Sequence, residues 1–285
     1  MEIKAFFHKD SFTFTYVVWD AATKDAVVID PVLDLDLLTW GVSTEAVAEV
    51  AAFVESNDLG VHWILDTHVH ADHLSGMKVL KERFGASTAI SDKITQVQEL
   101  FAGIYNFKGF VADGHQFDRL LADGDTVEAG AIKVDIIHTP GHTPACATFK
   151  IGDAIFTGDT MFMPDFGTGR CDFPKGSAES LYDSITRKLY TLPDETRVFV
   201  GHDYMPHGRQ LRWETSIGES KQQNIQLRAS TTKEEFVKFR TERDAKLNPP
   251  RFILPSLQVN IAAGALPEAE DNGRAYFKMP LDLFG

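Results

Sequence analysis

Residues 66–73 read Asp-Thr-His-Val-His-Ala-Asp-His and directly follow the apolar run 61–65, so three imidazoles and two carboxylates fall within eight residues. A single histidine in such a place is more often a surface or hydrogen-bonding residue, but packing does not explain this density of polar groups. Imidazole and carboxylate are ligands that divalent zinc, iron and manganese accept, and a turn between rigid elements can direct several of them at one point. The segment therefore predicts a metal site at a strand end.

Three further candidate ligands lie downstream, each just beyond a predicted strand. His142 closes the segment His-Thr-Pro-Gly-His, Asp159 ends the apolar run Ala-Ile-Phe-Thr-Gly-Asp, and His202 follows Arg-Val-Phe-Val-Gly. Ligand-type side chains thus recur at strand ends, which strengthens the prediction of a metal site.

Hydrophobic patterning predicts a strand-rich chain with helices between the strands. The predicted strands are residues 12–19, 26–29, 61–65, 88–90, 132–137, 147–151, 154–156 and 197–200. The predicted helices are residues 43–56, 74–84 and 178–190, whereas residues 112–130 read as a loop-rich stretch. This order fits two sheets with helices outside them, in the α/β class. We expect a catalytic domain over residues 1–205 and a C-terminal extension over residues 206–285 that packs on the same domain.

Composition and charge exclude several classes of protein. Of the 285 residues, 44% are hydrophobic and 24% charged, as in an ordinary globular protein. The net charge of -13 comes without a dense basic run, which argues against nucleic acid as a partner. Charges interrupt the first ten positions and no run of about eighteen apolar residues occurs, so we expect a cytoplasmic protein without a membrane partner. The two cysteines, Cys146 and Cys171, do not indicate a disulfide framework, and either burial or redox activity is open for them.

The four motifs together resemble a known family. Thr-His-x-His-x-Asp-His at 67–73, Thr-Pro-Gly-His at 139–142, Phe-Thr-Gly-Asp at 156–159 and Gly-His-Asp at 201–203 are similar to the ordered motif set of the metallo-β-lactamase superfamily. The resemblance implies an αββα sandwich with a C-terminal helical or extended appendage and a metal site at one sheet edge. The ligands it implies are His68, His70 and His142 for a first metal, Asp159 as a bridge, and Asp72, His73 and His202 for a second.

Residues 167–173, Gly-Thr-Gly-Arg-Cys-Asp-Phe, narrow the resemblance further. They are similar to the Gly-x-Gly-Arg-x-Asp-Phe segment of persulfide dioxygenases of the ethylmalonic-encephalopathy-protein type, whereas the related glyoxalase II enzymes typically have Lys-Phe where this signature begins. The resemblance implies one non-haem Fe(II) on His68, His142 and Asp159. The residues it leaves beyond the direct ligands, or in a second metal site, are His70, Asp72, His73 and His202, of which Asp72 and His202 would act at the catalytic centre.

Five side chains are candidate substrate contacts. Arg170 can pair with an acidic group of the ligand or brace its own loop through Asp172, and both interpretations stay open. Tyr204 follows a candidate ligand and is expected to contact the substrate. Arg209 and Lys221 can clamp the carboxylates of glutathione or merely form salt bridges on an acidic protein.

Three functional hypotheses follow. The first is a persulfide dioxygenase that oxidises glutathione persulfide with O2 to sulfite and glutathione, with one Fe(II) per chain. The second is a glyoxalase II-like thioester hydrolase (hydroxyacylglutathione hydrolase class) with one or two zinc ions and a bridging hydroxide as the nucleophile. The third is a non-catalytic metal-binding or sulfur-sensing protein. Exposed edge strands and the long tail make a homodimer a further expectation.

Overall fold

The computed structural model describes residues 1–283. Its strands are β1 (Glu2–His8), β2 (Thr13–Trp19), β3 (Asp25–Ile29), β4 (Val32–Leu35), β5 (Val42–Ser43), β6 (Gly60–Leu65), β7 (Leu74–Ser75), β8 (Ser87–Ser91), β9 (Arg119–Leu121), β10 (Thr126–Ala129), β11 (Ile132–His138), β12 (Ala147–Ile151), β13 (Ala154–Phe156), β14 (Arg197–Phe199) and β15 (Glu214–Ser216). Its α-helices are α1 (Glu45–Ser56), α2 (Met77–Phe84), α3 (Ile94–Ile104), α4 (Ala178–Arg187), α5 (Ile217–Gln223), α6 (Lys233–Asp244) and α7 (Ile253–Asn260). Within this described part of the chain, no helix has the length and apolar character needed to cross a bilayer.

Two six-stranded sheets form the centre of the fold. The first has the strand order β1-β2-β3-β6-β8-β9 and the second the order β10-β11-β12-β13-β14-β15. A small third sheet, β5-β4-β7, lies beside them. With helices outside both large sheets, this is the αββα sandwich that the sequence predicted, and the prediction of fold class is confirmed.

Strand β2 shows why the apolar runs are continuous rather than alternating. Phe14 and Tyr16 point into the core between the sheets, where the Tyr16 ring lies 5.2 Å from Phe156 and 5.6 Å from Phe199. Val17, which follows Tyr16 in sequence, points to the opposite side and joins the core under the helices. Because β2 is covered on both faces, it can carry apolar residues at successive positions, as at Tyr16, Val17 and Val18.

The C-terminal segment contributes to both cores and to the second sheet. Strand β15 is an edge of that sheet and pairs with β14. Helix α6 begins with a capping box in which Thr232 and Glu235 satisfy each other's backbone N–H groups, and its Phe236 is fully buried. Leu257 of α7 joins the core beneath α1 and α2.

Several boundaries differ from the sequence prediction. Helix α2 begins at Met77 rather than at residue 74, because β7 pairs with β4 and the backbone N–H of Ser75 donates to Asn260. The stretch predicted as loop-rich contains β9 and β10, which are short and half exposed and therefore lack an apolar run. Patterning also missed β1 and α3. Helix α4 ends at Arg187, and a short 3-10 turn covers Leu189–Thr191.

Candidate metal centre

The predicted ligands converge at one edge of the two sheets. Strand β6 leads into residues 66–73, β13 leads to Asp159, β14 leads to His202, and His142 lies between β11 and β12. Gly158 has a φ of +47°, and a Cβ on it would lie 2.3 Å from Thr67 Oγ1, so glycine allows the Asp159 turn to approach the turn that carries His68.

His68, His142 and Asp159 form the first group of ligand-type atoms. Asp159 Oδ2 lies 4.0 Å from His68 Nε2 and 3.6 Å from His142 Nε2, and one ligand atom from each residue falls within 4.8 Å of the others. These are the two imidazoles and one carboxylate that the resemblance to persulfide dioxygenases implied as ligands.

A second group lies directly beside the first. Ligand atoms of His70, Asp72 and His73 are within 4.8 Å of one another, and the rings of His68 and His70 are 4.1 Å apart. His202 joins the two groups, because its Nε2 lies 3.2 Å from Asp159 Oδ1 and 3.6 Å from Asp72 Oδ2. All seven candidate ligands therefore form one continuous cluster.

Each of four imidazoles is held by one ring nitrogen while the other points into the cluster. The Nδ1 atoms of His142, His73 and His202 donate to the backbone carbonyls of Arg170 (2.7 Å), Leu74 (3.0 Å) and Ser11 (3.2 Å), respectively. Nε2 of His70 instead donates to Asp30 Oδ1 at 3.0 Å. Such contacts set the tautomer and the ring orientation of metal-binding histidines.

Asp30 is the main member of the site that sequence reasoning missed. One of its oxygens accepts from the Thr67 backbone N–H (2.7 Å) as well as from His70, and the other accepts from the Thr67 hydroxyl (2.8 Å). Asp30 lies at the end of β3, next to β6 in the sheet, and its hydrogen bonds fix the turn that follows β6. The sequence feature that could have pointed to Asp30 is its position directly after the apolar strand 26–29 and before a proline.

Burial and neighbouring charges separate the pKa values of the cluster. Burial lowers the pKa of His68 well below its usual value and that of His73 to about 4. Burial also acts on His202, but the carboxylates of Asp159 and Asp72 outweigh it and raise its pKa to about 10. Burial would raise the pKa of Asp159, yet His202 together with the other histidines holds it well below its usual range.

The donor set fits a divalent cation. Nε2 of His68, Nδ1 of His70 and Nε2 of His73 are buried without a hydrogen-bond partner among the described residues. A buried polar nitrogen without a partner is costly, whereas a metal ion accepts the lone pairs of several imidazoles and the charge of nearby carboxylates at once.

The predicted substrate residues have different surroundings. Arg170 donates to both oxygens of Asp172 at 2.5 Å and to the Asn248 carbonyl at 2.9 Å. Arg209 is held between Asp165 and Asp203, and Lys221 contacts Asp194 at 2.5 Å, so these pairings occupy donors that a ligand carboxylate would need. A role of Arg209 and Lys221 in substrate binding stays a prediction.

Tyr204 is closely associated with the cluster. Its ring stacks on His202 with a centroid distance of 5.5 Å and packs against Phe166 at 4.6 Å, while 38% of the residue stays exposed. Burial of the ring, together with the carboxylates of Asp159 and Asp72, raises the pKa of the phenol well above its usual value. Tyr204 is therefore a neutral hydrogen-bond donor near neutral pH.

Two cavities reach the cluster from different sides. One of about 250 Å³ lies beside His142, with Arg170 and Asp172 as its charged residues and an otherwise apolar lining that includes Phe101, Phe173, Leu247 and Ile253. Another of about 590 Å³ lies beside Asp72 and His73 and is lined by the acidic residues Asp34, Asp36 and Glu45. Residues 247–252 of the C-terminal segment contribute to both cavities.

The cysteines are not poised as thiolates. Cys146 is buried, its sulfur is hydrogen-bonded to Thr143, and burial raises the pKa of its thiol to about 12. Burial likewise raises the pKa of Cys171. Thiols with raised pKa values are poor nucleophiles.

Comparison with known proteins agrees with this geometry. The profile of the metallo-beta-lactamase superfamily matches residues 8–202. The beta-lactamase hydrolase-like protein of Xylella fastidiosa (strain 9a5c) is 48% identical over 98% of the chain, although the chain spans only 64% of that relative. Glyoxylase B2 of Dictyostelium discoideum is 45% identical, with 99% of the chain and 97% of the relative covered.

Two further comparisons concern proteins named ETHE1. The mitochondrial persulfide dioxygenase ETHE1 of Homo sapiens is 31% identical, with 83% of the chain and 79% of the relative covered. The crystal structure of ETHE1 from Myxococcus xanthus superimposes with a TM-score of 0.75 at 35% identity and covers 93% of this chain and 100% of that one.

Proposed function

Because this chain belongs to the metallo-beta-lactamase superfamily, we propose that it is a metal-dependent persulfide dioxygenase that oxidises glutathione persulfide with O2 to sulfite and glutathione. The observation that carries the proposal is the group formed by His68, His142 and Asp159. Two imidazoles and one carboxylate are the ligand set of non-haem Fe(II) oxygenases, in which other coordination positions stay open for substrate and O2.

In this proposal His68, His142 and Asp159 would hold one Fe(II), which would supply the chemistry with O2. The overall reaction is GSSH + O2 + H2O → GSH + HSO3⁻ + H⁺, in which the terminal sulfur is oxidised, O2 is reduced and the S–S bond breaks. The thiolate of glutathione leaves and takes up a proton.

Residues around the three ligands have distinct tasks in the proposal. His202 Nε2 lies 3.2 Å from Asp159 Oδ1 and can donate to it, which leaves Oδ2 facing His68 and His142. The same Nε2 proton lies close to Asp72 and can be passed to the leaving thiolate. The Tyr204 hydroxyl can donate to the oxygens of the developing sulfite. The carrier would lie in the cavity beside His142.

A thioester hydrolase with two zinc ions is the second candidate. The group of His70, Asp72 and His73 next to His202 supports it, since a second metal could be held there. The Dictyostelium relative named glyoxylase B2 also supports it. In this case the cluster would hold the zinc ions, which would supply an activated water for hydrolysis of a thioester.

One preparation separates these functions. The protein is purified without oxygen, its iron and zinc are counted per chain, and O2 uptake and sulfite release are measured with glutathione persulfide. Hydrolysis of a glutathione thioester is measured in parallel. One iron with O2 uptake supports the dioxygenase, two zinc ions with thioester turnover contradict it, and bound metal without either activity points to the non-catalytic hypothesis.

His202→Ala tests whether one metal or two are held. We expect the variant to retain about one equivalent of iron while turnover falls by about 10- to 100-fold, because a residue that contacts a ligand is lost rather than a ligand itself. Metal content and O2 uptake are measured on the same sample. Loss of all metal would instead indicate a shared dinuclear site.

The pairing of Arg170 with Asp172 predicts a bracing role for this arginine. Arg170→Lys and Asp172→Asn should each lower Tm by about 2–4 °C, as expected for about 1 kcal/mol, and should lower kcat/KM alike. The defect should be equal for glutathione persulfide and for a persulfide that lacks the glutathione carboxylates.

Arg187→Lys, at an exposed position of α4, is the matched control and should change neither Tm nor kcat/KM. If the Arg170→Lys defect shrinks with the truncated carrier, the guanidinium binds a substrate carboxylate directly and the bracing role is wrong.

A further inference from the structure

Three buried polar side chains of the C-terminal segment bind one stretch of backbone near the candidate metal centre. We call Gln226, Arg240 and Asp244 the C-terminal clamp. Gln226 Nε2 donates to the Phe166 carbonyl at 2.7 Å, and Gln226 Oε1 accepts from Thr168, from its N–H at 3.1 Å and from its hydroxyl at 3.0 Å. The amide side chain thus binds the loop that follows Asp159 at two positions, Phe166 and Thr168.

Arg240 and Asp244 extend these contacts to the end of the loop. Arg240 Nη1 donates to Gln226 Oε1 at 2.9 Å and to the Thr168 carbonyl at 3.2 Å, while the rest of its guanidinium pairs with Asp244. Asp244 Oδ2 in turn accepts from the Cys171 backbone N–H at 2.7 Å.

The burial of this ion pair is itself unusual. Arg240 is 1% exposed and Asp244 is 5% exposed, although both lie on α6, whose other charged side chains are mostly exposed to solvent. Burying a charged pair brings little or no net stability compared with apolar side chains of the same volume. A role in fixing the bound backbone accounts for the pair better than a role in overall stability.

The opposite side of the same loop contacts two of the candidate ligands. The Arg170 carbonyl, next to the clamped Cys171 N–H, accepts from His142 Nδ1 at 2.7 Å. Gly169 lies so close to Asp159 that a Cβ on it would be 2.0 Å from the Asp159 carbonyl oxygen. The loop therefore lies between the clamp and the metal centre.

We propose that the C-terminal clamp positions the metal centre, because it fixes the Arg170 carbonyl and thereby the orientation of His142. The inference rests on the proposed metal site. Gln226, Arg240 and Asp244 are positioning residues in it, since they reach His142 only through the loop backbone. The C-terminal segment is then part of the machinery that holds the metal, although it supplies none of the seven candidate ligands.

The test measures metal affinity in protein that stays folded. In the double variant Arg240→Met/Asp244→Leu both charges are removed, so no buried charge is left unpaired. Anaerobic competition of the iron-loaded protein with a chelator should show an iron dissociation constant raised about 10-fold or more, the range known for residues that orient metal ligands. Circular dichroism and Tm of the metal-free form are measured on the same samples.

Matched variants complete the design. Arg243→Met changes an exposed arginine of the same helix and should leave the iron dissociation constant at the wild-type value. Arg240→Lys keeps a charge opposite Asp244 but lacks the planar guanidinium that joins Gln226 and Thr168, and it serves if the double variant does not fold. Its iron dissociation constant should rise several-fold.

The outcomes distinguish the inference from its premise. A folded variant of lower Tm with unchanged iron affinity would show that the clamp only stabilises the fold, and it would overturn the inference. A wild-type protein that binds no metal would overturn the metal site itself. A raised dissociation constant in folded clamp variants, together with an unchanged value in Arg243→Met, supports positioning.

Discussion

Replacing His142 with alanine should abolish iron retention and lower kcat/KM by well over about 100-fold, more than the loss of a residue that only orients a ligand. His142 Nε2 lies 3.6 Å from Asp159 Oδ2, and the other imidazole of the first group, His68, cannot replace it because it is itself a candidate ligand. The variant should stay folded, since the His142 ring lies at the edge of a cavity rather than inside a core. Metal analysis, circular dichroism and O2 uptake measure the three quantities.

His115→Ala is the matched control for this experiment. His115 is an exposed histidine whose Nδ1 pairs with Asp113, so its removal should change neither iron content nor turnover. Full iron occupancy in His142→Ala would contradict the proposed ligand set.

Gly169→Ala should strongly disturb the candidate metal centre, although Gly169 is not itself a candidate ligand. The added methyl group would lie 2.0 Å from the Asp159 carbonyl oxygen, so the loop and the backbone of Asp159 must move apart, while the 3.4 Å distance to His142 Cβ is an ordinary contact. Overpacking of this kind costs about 1–3 kcal/mol. We expect Tm to fall by about 2–10 °C, and iron content to fall with it.

Gly103→Ala gives the control for this glycine. Gly103 lies in α3, and a Cβ there meets nothing within 4 Å. Since alanine is favoured over glycine inside a helix by about 1 kcal/mol, Tm should stay the same or rise. Equal Tm and iron content in Gly169→Ala and wild type would show that the loop is not in close contact with the ligands in solution.

The candidate ligands could be recognised from the sequence because their pattern is local. Residues 66–73 carry three imidazoles directly after one predicted strand, and Asp159 and His202 each follow another predicted strand. Strands β12 and β13 were predicted with their observed bounds, because each is a short apolar run limited by turn residues.

Elements that depend on distant contacts were not recognised. The β7 pairing at Leu74–Ser75 needs β4 and the side chain of Asn260, which lies 185 residues further along the chain than Ser75. Asp30 acquires its role only because β3 and β6 are neighbours in the first sheet, so that its carboxylate meets Thr67 and His70. No local pattern encodes such a pair.

By itself the sequence indicated two sheets with helices outside them and the types of ligand at the strand ends, because apolar periodicity and residue chemistry act over a few neighbouring positions. The αββα sandwich was what the resemblance of its motifs implied. Only the tertiary structure decided which atoms meet: Asp159 Oδ2 with His68 and His142, and Arg170 with Asp172. It also decided that Arg240 and Asp244 lie buried behind the loop that holds His142. These contacts join residues far apart in the chain, and their geometry follows from how the sheets and the C-terminal helices pack together.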